Sequence, residues 1–158
     1  MKHKRRILVL IILITLVICS AAFIFANSFM DNESSHGTSG AITDIITSTD
    51  DAEERNNVEF IIRKLAHVIE YAVLGLSVAS LAIFVFHVYK QSIFGYGCFF
   101  VLFVAVIDEH IQSFSDRFSS TADILLDFFG SLIGFLGAVV LYFTVRYFIE
   151  RKKKRIIK

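Results

Sequence analysis

The run ILVLIILITLVICSAAFIFA, from Ile7 to Ala26, carries no charge over its 20 residues. A helix rises about 1.5 Å per residue, so this run matches the roughly 30 Å hydrocarbon core of a bilayer. Lys2, Lys4, Arg5 and Arg6 stand before it, as a basic region precedes the apolar stretch of a secretory leader. The stretch is long for a leader, however, and Ile24-Phe25-Ala26 makes a poor cleavage site, so the run is read as a permanent span.

Three further apolar runs follow at about 66–88, 92–107 and 124–149. Their few charged residues include Glu70 and Asp127 near the starts of the second and fourth and Arg146 near the end of the fourth. Hydrophobic residues make up 55% of the chain, too many for an ordinary soluble domain. The 158 residues leave room for one compact unit and not two. The expected fold is an all-α integral membrane protein: one domain over 1–158, with four transmembrane helices bundled together. An outer loop over 27–63 is polar and acidic at first. From Ala41 onward Ile42, Ile45 and Ile46 recur at helical spacing, and Val58, Phe60 and Ile61 follow. These predict a short amphipathic segment on the membrane face before the second span.

The basic residues fix an orientation. Of the 16 Lys and Arg residues, 12 precede the first run, follow the second at Lys90, or lie from Arg146 to the C-terminus. By the positive-inside rule both termini are cytoplasmic, and the loops after the first and third spans are outside. The basic residues thus serve the membrane flanks, and nucleic-acid binding has no support. Cys19 and Cys98 both fall within spans and give no sign of a disulfide or redox pair. In the fourth run Gly130 and Gly134 form G-x-x-x-G, a spacing that lets two helices approach closely; packing within one molecule is favoured over a dimer face.

Ionisable groups at the mouth of a span are costly unless they work together, which makes them the best guide to function. Lys64, His67, Glu70, Tyr71 and Leu74 recur at a spacing that puts them on one helical face. Asp108, Glu109 and Gln112 close the third run, and Asp123 and Asp127 open the fourth, four residues apart. With Arg117 between them, these groups are expected to converge on a common outer pocket, with the Tyr71 hydroxyl turned toward it. Three readings stay open. In a structural one, Arg117 and Lys64 neutralise Glu109 and Asp123. In a ligand site, the basic groups hold an anion while carboxylates accept hydroxyl or amide protons. In a catalytic one, His67 or Glu109 serves as general base and the other orients it. A metal variant would combine His67 with Glu109 and Asp123, but ligands scattered over different helices are a weak signal, and no metal or cofactor is expected.

The segments Arg63-Lys64-Leu-Ala-His67-Val-Ile-Glu70-Tyr71-Ala-Val-Leu74-Gly75 and Asp108-Glu109-His-Ile-Gln112, then Arg117 with Asp123, Asp127, Gly130 and Gly134, resemble the VanZ-like family. Ala26-Asn27-Ser28 and Glu33-Ser34-Ser35 loosely echo that family's Ser-rich motif after the first span. The resemblance implies a small multi-pass protein of the bacterial cell membrane. It also implies a link to glycopeptide (teicoplanin-type) antibiotic resistance, and Lys64, His67, Glu109, Gln112, Arg117, Asp123 and Asp127 as the functional set. The expected partners are membrane lipid and an envelope precursor or lipid-linked ligand. The rivals are a membrane-embedded hydrolase or transferase acting on an envelope lipid, with His67 and Glu109 as its acid–base pair, and a structural or assembly partner of another membrane protein.

Overall fold

The computed structural model describes residues 2–29, 40–46, 51–114 and 120–156. Every element among them is helical: α1 (Lys2–Ser28), a short α2 over residues 40–46, α3 (Ala52–Tyr89), α4 (Phe94–Gln112) and α5 (Thr121–Ile156). Four of these are long and apolar enough to cross a membrane. The chain has no proline, so nothing removes a backbone donor inside these long helices.

The helices run past the apolar stretches that announced them. Over its 38 residues α3 is about 57 Å long at 1.5 Å per residue, well beyond the hydrocarbon thickness. Its start is set locally: the Asp51 carboxylate accepts the Glu53 N–H at 2.9 Å, and Glu53 and Glu54 oppose the positive end of the helix dipole. Val58, Phe60 and Ile61 therefore belong to α3 itself and not to a separate surface segment. Before them, α2 is tied to α3 by an ion pair between Asp44 and Arg55 at 2.5 Å. At the other end of α3 the chain turns at Lys90, whose backbone is left-handed (φ 60°) and whose N–H bonds Phe86 O at 3.1 Å. That close stop leaves four residues before α4 and makes the two helices antiparallel neighbours.

Packing is tightest between α3 and α5. A Cβ added to Gly75 would run into the backbone of Ser131, and one added to Gly134 into the backbone of Ala72 and Leu76. One on Gly130 would lie 2.8 Å from Val68 O. The G-x-x-x-G motif thus works inside the molecule, where bare backbone lets two helices meet without an intervening layer of side chains. The core is completed by Val17, Ala21 and Ile24 of α1, Tyr71, Leu74 and Val78 of α3, and Val101, Val104 and Ala105 of α4.

Large apolar side chains cover the outside. Phe99, Phe103, Phe129, Ile133, Leu136 and Phe143 are all exposed, while Asp108, Asp127, Ser28 and Ser131 are buried. That distribution inverts the soluble pattern and suits a bundle surrounded by lipid. Cys19 and Cys98 are both free thiols.

Candidate functional site

The buried polar groups gather at one end of the bundle, where α1 and α4 finish, α5 begins, and α3 passes through. Asp108, in the last turns of α4, lies at the centre and is wholly inaccessible to solvent. Ser28 Oγ of α1 contacts its Oδ1. The same hydroxyl lies 2.9 Å from Ile24 O, so one proton serves two acceptors. The Oδ2 atom accepts from the Tyr71 hydroxyl at 3.1 Å and from Gln112 Nε2 at 3.2 Å, and His67 Nδ1 stands 3.9 Å away. Four helical positions on three helices thus converge on one carboxylate. Buried carboxylates persist in apolar surroundings when such donors surround them.

A second layer frames this centre. Asn27 of α1 donates from Nδ2 to Glu70 Oε1 at 2.8 Å, fastening the end of α1 to the middle of α3. Glu109, only 3% exposed, accepts the Ser120 N–H at 3.0 Å and so ties the end of α4 to the approach to α5. Ser120 in turn caps α5 by accepting the Ala122 N–H through its hydroxyl at 3.2 Å. Asp123, in the first turn of α5, forms an ion pair with Lys64 across to α3. The Lys64 ammonium also lies over the Phe60 ring, 5.4 Å from its centre. This pair sits at the rim, with side chains 29% and 23% exposed, whereas Asp127 one turn further along α5 is 2% exposed. Asp127 lies in the field of Asp108, Glu109, Asp123 and Lys64. Its Oδ2 atom has no hydrogen-bond partner among the described residues.

Of the residues expected from sequence to share a pocket, Lys64, His67, Glu109, Gln112, Asp123 and Asp127 do converge here. Arg117, Glu33-Ser34-Ser35 and the loop over 30–39 lie outside the described residues. The Lys64–Asp123 half of the structural reading is present as an ion pair. Among the described residues the metal-capable set differs from the one spacing suggested. His67, Asp108 and Asp127 bring one ligand atom each within 4.8 Å of one another, in place of His67, Glu109 and Asp123.

Sequence reasoning left Asp108 and Glu70 out of the functional set, although both stand in the motifs that carry the resemblance. It also passed over Asn27 and Ser28, whose partners are 43 and 80 residues away. Only the loose Ala26-Asn27-Ser28 echo could have pointed to them. His87 plays no part, since it pairs through Nε2 with the Tyr142 hydroxyl at 2.7 Å toward the opposite end of the bundle. His110 is exposed.

A family model described as VanZ/LLP1 matches residues 9–143, a stretch that holds most of the apolar run of each long helix and every residue of the polar centre. No curated protein and no solved structure matches the chain. By the extent of that family match, the chain belongs to the VanZ/LLP1 family.

Proposed function

We propose that the polar end of the bundle faces outward from a bacterial cell membrane and engages an envelope component. The class of ligand that fits is a lipid-linked or anionic wall precursor, and altered exposure of that component would contribute to glycopeptide tolerance of the teicoplanin type. The observation that carries this reading is the burial of Asp108, Glu109 and Asp127 beside the partly exposed Lys64–Asp123 pair. A rim where Lys64 stands beside fixed carboxylates can offer a cation to an anionic headgroup and acceptors to its hydroxyl or amide protons. The outward orientation is supported by charge. Arg5, Arg6, Lys90, Arg146, Arg151 and Lys152 stand at the opposite end of the bundle, as the positive-inside rule asks of the cytoplasmic side.

The test is glycopeptide susceptibility of a sensitive bacterium expressing wild type, Glu109→Gln or Lys64→Gln, with membrane levels of each measured in the same cells. Protection by wild type that equally abundant variants lose supports the reading. Wild type without any effect on susceptibility removes the resistance role. Protection retained by both variants makes the two residues scaffold.

A second reading, hydrolysis or group transfer on an envelope lipid, draws on the His67 imidazole beside the buried Asp108 carboxylate. There Asp108 would orient His67 as general base, whereas the sequence reading paired His67 with Glu109, either one orienting the other. Turnover of radiolabelled envelope lipid by the purified chain, abolished in His67→Gln, separates catalysis from binding.

A further inference from the structure

We propose that His67, Asp108 and Asp127 form a site for one divalent transition-metal cation, held between α3, α4 and α5. Each helix supplies one donor, and an imidazole nitrogen and two carboxylate oxygens lie within 4.8 Å of one another. A cation at the centre of such a triangle sits within about 2.8 Å of every donor, so small side-chain movements reach the roughly 2.0–2.2 Å of nitrogen and carboxylate ligation.

The Asp127 side chain makes this more than a cluster of acids. It is 2% exposed, yet its Oδ2 atom has no hydrogen-bond donor among the described residues. A buried carboxylate oxygen left without a donor calls for an explanation, and a bound ion is one of the few that satisfy it. Asp108 shows the complementary feature. Its oxygens are met by Ser28, Tyr71 and Gln112, the kind of outer shell that orients a ligating carboxylate. Charge points the same way. The Lys64 ammonium is engaged by Asp123 at the rim. Two carboxylates, a neutral imidazole and a divalent cation sum to zero, which an apolar bundle tolerates far better than two adjacent anions.

The donor set selects among ions. Mg²⁺ and Ca²⁺ prefer oxygen alone, whereas one imidazole with two carboxylates suits Zn²⁺ or Mn²⁺. Three protein ligands also leave a coordination position open, as in zinc sites that bind water or a ligand. The cation site stands or falls independently of the envelope role, because its test measures metal and not susceptibility.

The full chain, purified in detergent and stripped with a chelator, is titrated with Zn²⁺ and with Mn²⁺, and bound metal is counted by mass spectrometry alongside the unfolding temperature. Wild type is expected to bind about one ion per chain of at least one of these metals and to unfold at higher temperature when loaded. Tyr71→Phe and Ser28→Ala, which disturb only the shell around Asp108, are expected to weaken binding about 10–100-fold. Asp127→Asn and His67→Gln are expected to weaken it further, and His87→Gln, toward the opposite end of the bundle, to leave it unchanged. His67 is 25% exposed, so its variant keeps the test valid if a buried aspartate variant does not fold. Wild type that binds neither metal stoichiometrically, or a folded His67→Gln that binds as wild type does, overturns the site.

Discussion

The Tyr71 hydroxyl of α3 donates to Asp108 of α4 at 3.1 Å, and both side chains are wholly shielded from solvent. This bond joins the helix that carries most of the site to the helix that carries its central charge. An average interhelical hydrogen bond between membrane helices contributes only about 0.6 kcal/mol, but a carboxylate acceptor raises that. Tyr71→Phe is expected to destabilise the bundle by about 1–2 kcal/mol. Reversible unfolding in mixed micelles measures this, and a variant as stable as wild type would show that Asp108 does not depend on the hydroxyl.

The contact of α3 with α5 gives a sharper contrast. Gly75→Ala and Gly134→Ala drive a methyl group into backbone that has no room to give, and each is expected to cost at least about 2 kcal/mol. A Cβ at Gly95, on α4, meets nothing within 4 Å. Gly95→Ala is therefore expected to be neutral or stabilising by up to about 1 kcal/mol through helix propensity. Equal effects at Gly75 and Gly95 in the same unfolding assay would contradict the packing.

The rim pair is accessible to a double-mutant cycle. With side chains 29% and 23% exposed, Lys64 and Asp123 are partly screened by solvent, and their coupling is expected at about 0.5–1 kcal/mol. Comparing Lys64→Gln, Asp123→Asn and the double variant gives that number directly. Strict additivity would mean that the two charges do not support one another.

Orientation is checked by labelling. In a background with Cys19 and Cys98 replaced, Ser113→Cys at the polar end is expected to react with an impermeant maleimide on intact cells. Gln91→Cys, at the α3–α4 turn, is expected to react only after permeabilisation. Both positions are exposed. The reverse pattern would put the polar end in the cytoplasm and end the envelope reading.

The long helices were legible because a lipid-facing helix needs a nearly continuous apolar run, and Ile7 to Ala26, or Ile124 to Ile149 with only Asp127 and Arg146 inside it, leave little choice. The first 14 residues of α3 were not, since Glu53, Glu54, Arg55 and Asn56 read as loop until the Asp51 cap and the docking of α2 are known. Within the site, helical spacing foretold the Lys64–His67–Tyr71 face because those positions lie on a single element. It missed Ser28 and Asn27 because a pairing over 43 or 80 residues leaves no local periodicity. Asp108 was placed in the pocket but left out of the functional set for a related reason: neighbouring Glu109 carries the same charge, and only the direction each faces separates the buried hub from the loop anchor.

The bare backbone contact of Gly75 with Ser131 and of Gly134 with Ala72 also governs how the molecule can move. Helices that slide past one another do so on a layer of side chains that change rotamer, and α3 and α5 have no such layer at these positions. They form one rigid slab that carries Lys64, His67, Asp123 and Asp127 together. α1 and α4 meet that slab at the polar end through side chains, Asn27 on Glu70 and Asp108 on Tyr71, which a rotamer change can release. Any widening of the polar end is therefore expected where α1 and α4 dock, with the α3–α5 slab as the fixed frame.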